Sequence, residues 1–338
     1  MNWWVKLFLI LSAVFLLGAF FMPYVLVNES IIKGMDFTNT GQIGDTIGGT
    51  TAPFIGLSVA LLTFCAFWVQ YTFNVQQEKR LHEQEVLTKK DHFENRFYDL
   101  LRFHRENVSE ISFNRENASK KVFTSMFKEL RFIYKIADRI RQVQLIEIEN
   151  EDLYSVVYSI FMYGVGIYSD SLVDSNINKD LNAFTDILRK ELKSMKSSWR
   201  NRKEYYPILA GEKPIKKDFY ISEDIIFYKI KENTNIALHC DSLPFEGYSS
   251  VLELYTKQLA YLFKYIDEQD EKIITEKQNY ADIVNIQLSA YEHLIIYYNS
   301  ISIFNDVWKL NDTNLLNKYK ILKNVPVPLA DFYIVPDK

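Results

Sequence analysis

Five histidines and two cysteines are the side chains in this chain best suited to metal binding or nucleophilic chemistry. The spacings of His82, His92, His104, His239 and His293 fit neither a helical zinc pair nor a cysteine–histidine finger. His239, Cys240 and Asp241 are adjacent and could supply a thiol and a base. Neighbouring residues generally point apart, however, so the cluster reads as structural. A metal-free helical ribonuclease would place an Arg and a His about a turn apart on one helix. Arg96 lies too far from His104, Arg102 too close, and His293 has no Arg upstream on its helix. No phosphate-cradling glycine loop, nucleophile elbow or dinucleotide fingerprint occurs. The expectation is a non-enzymatic chain with no catalytic residue, metal or cofactor.

Polar residues at helical spacing are the second candidate. On one helix drawn through Tyr280–Asn299, Asn285, Ser289, Glu292 and Asn299 share a face, and Tyr280, Val284, Gln287, Tyr291, Leu294 and Tyr298 share another. The first face could bind a trigger or partner, or it could simply meet solvent. Gln287, set in the aromatic seam, is expected to hydrogen-bond inside the core, because a buried amide needs partners.

The elements that position these residues fall into two classes. From Leu7 to Val27 the chain is almost wholly apolar and uncharged, long enough for a helix to cross a bilayer, with Trp3, Trp4 and Tyr24 placed as interfacial anchors. A cleaved signal peptide is the alternative, but the run is long and lacks a small-residue cleavage site. A second charge-free run extends from Pro53 to Tyr71. Lys79, Arg80, Lys89 and Lys90 follow it, whereas residues 28–52 hold the single basic residue Lys33. That bias places both termini in the cytoplasm. The predicted organisation is a transmembrane hairpin over 1–73, with spans at about 5–27 and 53–73 and a short external loop at 28–52. The glycine- and threonine-rich end of that loop, with Gly44, Asp45, Gly48, Gly49 and Pro53, could form a pore mouth, a sensing loop or an oligomer contact. A tight turn leading into the second span is the simpler reading.

The rest predicts helices: a stalk over 74–112 with Phe93, Phe97, Leu100, Leu101, His104, Val108 and Ile111 on one stripe, and a first cytoplasmic helical part over 113–201. Within that part, amphipathic helices are expected through Phe123–Ile140, over about 152–168 and over about 177–199. Residues 202–245, broken by Pro207, Gly211, Pro214 and Pro244, read as a loop-rich connection with short helices and a little strand. Helices resume over 246–338. The fold class is therefore mainly all-α, a two-helix membrane hairpin followed by a multi-helix cytoplasmic domain.

The segments GYSSVLELYTKQLAYLFKYID (Gly247–Asp267) and YADIVNIQLSAYEHLIIYYN (Tyr280–Asn299) resemble the paired helical motifs of the phage abortive infection family, the AbiC-like group. The two apolar runs, GDTIGGTTAPFIGL, and the aromatic FENRFYDLLRFHREN stretch are also similar to that family. The resemblance covers most of the chain, with 202–245 least constrained. It departs at Tyr248, at Tyr255-Thr256-Lys257 and at Asn285-Ile286, where the family pattern carries basic residues. If those positions meet an anion, Lys257 offers a point charge without the fork of an arginine. The resemblance implies a binding face that includes Tyr255 and Lys257 beside the four polar residues above.

It also implies an anti-phage effector in a bacterial inner membrane, whose helical domain senses a cytosolic protein or phage-derived trigger. Its spans would then disturb the lipid bilayer, as a homo-oligomer, since one hairpin cannot enclose a pore. A membrane-anchored scaffold and a helical nuclease with an unrecognised site are the alternatives. A net charge of −4 offers no global attraction to nucleic acid.

Overall fold

The computed structural model describes residues 3–27, 40–111, 119–201, 218–232, 234–330 and 332–333. Much of the expected external loop, the start of the first cytoplasmic part and most of the proline-containing stretch up to residue 217 lie outside the described residues. The described chain is mainly helical, as the apolar periodicity predicts, and divides into two compact units, Met1–Lys89 and Lys90–Lys338.

The first unit pairs α1 (Trp3–Val27) with the N-terminal part of α2 (Thr40–Glu110). Both carry windows apolar enough to cross a bilayer, with mean hydropathies of 2.4 and 2.0. The seam uses small side chains at seven-residue spacing: Val5, Ser12 and Ala19 on α1 face Ser58 and Cys65 on α2. Ser12 Oγ lies 3.4 Å from the Ser58 carbonyl and Ser58 Oγ lies 3.3 Å from the Ser12 carbonyl, which joins the two backbones directly. Phe8 meets Phe64 and Phe15 meets Phe54, so the helices run antiparallel.

One expectation about this unit is corrected. Residues 40–52 are not a turn: α2 already begins at Thr40, so Gly44, Asp45, Gly48 and Gly49 are helical and Pro53 lies inside the helix. The hydroxyls of Thr50 and Thr51 bond back to the carbonyl of Ile47, at 3.3 and 2.7 Å, within the helix itself. Residue 49, whose carbonyl the ring of Pro53 deprives of its donor, is a glycine that adds no side-chain crowding.

In the second unit α3 (Ser119–Gln144) is the hub, with Phe123, Met126, Leu130, Ile133 and Ala137 fully buried. Around it lie α4 (Asn150–Tyr163), α5 (Ile167–Ser175), α6 (Asn182–Arg200) and α7 (Ser249–Asp267). The C-terminal end of α2 joins this core through Phe93, Phe97, Leu101 and His104. Phe93 stacks on Tyr265 of α7 with ring centres 5.4 Å apart.

Three further expectations change. The helix expected over about 152–168 ends at Tyr163. Gly164, at φ +76°, turns the chain and α5 follows. The helix drawn through Tyr280–Asn299 is two helices, α8 (Lys277–Gln287) and α9 (Ala290–Ser300), broken at Leu288-Ser289 because the Ser289 side chain caps α9. Within 202–245 the structure holds a three-stranded antiparallel sheet, β1 (Phe219–Ser222), β2 (Ile225–Lys231) and β3 (Thr234–His239). Its inner face, Phe219, Ile226, Tyr228 and Leu238, is buried in the core shared with α3.

The start of α7 is fixed by a backbone crossing. Gly247, at φ +91°, lies against Tyr163 and Gly164. A Cβ there would come within 2.5 Å of the Tyr163 carbonyl carbon, and a Cβ on Gly164 within 2.4 Å of Glu246 backbone. The bonds Tyr248 N–H to Met162 O (2.8 Å) and Val165 N–H to Phe245 O (3.0 Å) hold the crossing. Only glycine fits two such backbones this closely at positive φ.

Candidate functional site

Ser289 and Glu292 form a reciprocal capping box at the start of α9. Glu292 Oε2 accepts the Ser289 N–H at 2.8 Å and Ser289 Oγ accepts the Glu292 N–H at 3.3 Å. The other carboxylate oxygen, Oε1, accepts the hydroxyl of Tyr255 from α7 at 3.2 Å. One buried carboxylate thus ties α7 to the break between α8 and α9. His293 continues the network: its Nδ1 lies 3.0 Å from the Ser289 carbonyl and its Nε2 lies 2.8 Å from Asn285 Oδ1. Across Tyr255, the ring of His104 lies 5.2 Å away, centre to centre.

Burial sets the electrostatics. It holds the Tyr255 hydroxyl well above its ordinary range, with the Glu292 charge adding to the effect. Burial likewise drives His104 down to about 4, so that imidazole is neutral near pH 7, and lowers His293 against the opposing Ser289 bond and Glu292 charge. A protonated phenol, a carboxylate occupied on both oxygens and a neutral His104 make a structural tie rather than an acid–base machine. Among the described residues no group of three metal-ligating side chains converges.

The sequence-predicted residues therefore separate. Tyr255, Ser289, Glu292 and Asn285 come together, but they are largely buried rather than lining a solvated face. Asn299 belongs to a different cluster: its amide donates to the Tyr158 hydroxyl and accepts the Trp308 indole N–H, each at 2.8 Å. Lys257 points to solvent and pairs with Glu253 at 3.0 Å along its own helix. Gln287 is exposed at the end of α8, contrary to its expected place in the core. In the first unit Gly44, Asp45, Gly48, Gly49 and Pro53 lie exposed on α2.

Tyr255 is where the network reaches open space. Its side chain helps to line a half-open cavity of about 260 Å³ between the end of α2 and the start of α7, with Asn107, Val108, Ile111, Val251 and Leu254. The lining is mostly apolar, suited to a side chain or small molecule of similar character.

Two contributors, His293 and Glu129, escaped the sequence reading. His293 looks unrelated to the predicted Asn285 until the break at Leu288 brings the two together. Glu129 is a carboxylate on the core face of α3, three residues after Met126 and four before Ile133, and that placement on an apolar stripe was the available signal.

Residues 247–329 match the model of the family described as "Putative phage abortive infection protein". The match begins at the glycine crossing and takes in α7, the capping box and the Tyr255–Glu292 tie. No curated protein and no solved structure is significantly similar to the chain.

Proposed function

We propose that this protein is an abortive infection effector whose first unit inserts into the bacterial inner membrane and whose second unit receives the infection signal. The observation that carries the defence assignment is the family match over residues 247–329. The membrane part is supported by the apolar surface of the hairpin, where Phe20 is 77% and Phe67 66% exposed. Such a surface is stable in hydrocarbon and costly in water. The cluster Lys79, Arg80, Lys89 and Lys90 after the second apolar run supports a cytoplasmic second unit.

In this reading a trigger acts at the cavity beside Tyr255, which borders both α2 and α7. A ligand that prefers one arrangement of the second unit shifts its population toward that arrangement. The unbroken α2 offers a continuous element through which the shift reaches the bilayer. Permeation requires several copies, because two helices cannot enclose a pore. Gly44, Gly48, Ala52 and Gly56 recur every four residues on α2, and among the described residues nothing beyond their own stretch of helix lies within 4 Å of where a Cβ would stand on the three glycines. Such a face permits close approach by the helix of a second copy.

The test is phage challenge of cells producing the full chain, with membrane potential followed in time. The expected result is loss of potential before phage release, and loss of protection when Phe67→Asp places a charge on the apolar face. Protection with potential unchanged would reject membrane disruption as the output. Protection retained after both spans are exchanged for an unrelated anchor would favour the scaffold alternative.

A further inference from the structure

Glu129 sits mid-way along α3, buried between the helix and the connection from β3 to α7. Its Oε1 accepts the Phe245 N–H at 3.1 Å and its Oε2 accepts the Tyr248 hydroxyl at 3.0 Å. These donors flank Glu246-Gly247, so one carboxyl group fastens the whole connection to α3 just where the glycine crossing begins.

The charged and titratable groups around it give little compensation. Lys196 of α6 is the cation that acts on it, but that ammonium pairs with Glu246 at 2.6 Å and bonds the Val165 carbonyl at 3.0 Å. Glu246 itself opposes a charge on Glu129. Tyr248 is a weak acid and a donor, and Cys240 lies close to Tyr248. His239 and Asp241, 3.3 Å apart, stand at the rim. A cavity of about 40 Å³, lined by Ser125, Glu129, His239, Asp241 and Tyr248 among others, opens beside the carboxyl group and has room for about one water.

We propose that Glu129 is a proton-controlled latch, holding residues 240–248 closed on α3 while its carboxyl is neutral and releasing them toward water when it ionises. A buried carboxylate without a cation of its own gains more from hydration than from two donors. The latch governs the start of α7, and it does not depend on the membrane reading.

Burial raises the carboxyl from its ordinary 4.5 to about 7, against the opposing bonds from Tyr248 and Phe245. A carboxyl whose pKa is raised in the closed state stabilises that state fully below about 4.5. That stabilisation is lost as pH rises through about 7. Opening should therefore increase roughly 40-fold from about pH 5 to about pH 7 and level off above.

The experiment is amide hydrogen exchange of residues 241–248 in the full chain across that range, corrected for the intrinsic pH dependence of exchange. Wild type should show the rise, Glu129→Gln a flat profile, and Tyr248→Phe a midpoint moved to higher pH, since it removes a bond favouring the carboxylate. Both variants keep His239 and Asp241, so neither of these groups produces the differences. A flat wild-type profile, or a wild-type profile in Glu129→Gln, overturns the latch. Should Glu129→Gln fail to fold, the Tyr248→Phe midpoint decides: moved, the latch stands, and unmoved, it falls.

Discussion

The two units bury opposite kinds of residue. In the hairpin the large apolar side chains face outward, Trp3, Phe20, Phe67 and Tyr71 among them, while serine, alanine and cysteine fill the seam. In the second unit the largest side chains are inside, including Trp199, Tyr158, Phe123 and Phe263. Water drives the second arrangement, because burying aromatic and aliphatic surface releases it from hydration. In a bilayer it would not drive the first, where close helix approach and direct hydroxyl contacts would take over. The contrast makes the same residue type mean different things in the two units, and glycine tests this most sharply.

Gly247→Ala should be the most damaging substitution. The added methyl meets the Tyr163 and Gly164 backbones at 2.5 and 2.6 Å, neither of which can rotate away, and the backbone sits at positive φ. A loss of about 4 kcal/mol or failure to fold is expected, read by chemical denaturation of the full chain in detergent. Gly48→Ala in the hairpin should be neutral or stabilising by up to about 1 kcal/mol, because among the described residues nothing beyond its own stretch of helix lies within 4 Å and alanine favours the helix. Equal effects at the two glycines would erase the distinction.

Polar residues give a second, smaller contrast within the matched region. Glu292→Ala strips partners from the Tyr255 hydroxyl and the Ser289 N–H inside the core, which should cost about 2–4 kcal/mol. Lys257→Ala breaks an exposed pair on one helix and should move stability by less than about 0.5 kcal/mol. Matching losses would mean that the capping box is not what joins α7 to α9. If Lys257→Ala instead abolishes protection against phage while the fold is unchanged, its role lies in binding.

How much of this could be read in advance depended on whether the signal was local. The helices of the two apolar runs, α1 and part of α2, were legible because each run is long and free of charge, which is what makes them candidate spans. The start of α2 was not, because Gly-Gly-Thr-Thr-Ala-Pro carries turn chemistry in water, whereas α2 keeps its hydroxyl bonds local and accepts the glycines. A little strand was expected within 202–245, but its extent as a three-stranded sheet was masked at the first turn, where Glu223 adopts φ +53° in place of the usual glycine or asparagine. At the site, Tyr255 and Glu292 were named, but the helical wheel that grouped Asn299 with them assumed one continuous helix. Ser289-Ala290-Tyr291-Glu292 carries the spacing of a capping box, which would have marked the break. Glu129 and its two donors are more than a hundred residues apart along the chain, and no local pattern reaches that far.

A third contrast lies in the hairpin seam. The Ser58 hydroxyl has one proton and two carbonyls in reach, Phe54 at 2.8 Å on its own helix and Ser12 at 3.3 Å across the seam. The shorter bond within the helix should take most of the proton, leaving the interhelical contact weak. Ser58→Ala should therefore cost less than about 1 kcal/mol, and its coupling to Ser12→Ala in a double-mutant cycle should be near 0.6 kcal/mol. Ser58→Leu should cost considerably more, because the seam has no room for a larger side chain at a fully buried position. If alanine proves as harmful as leucine, hydroxyl bonding holds the hairpin together. If only leucine harms, close approach does, and the first unit differs from the second in what it packs rather than in how tightly.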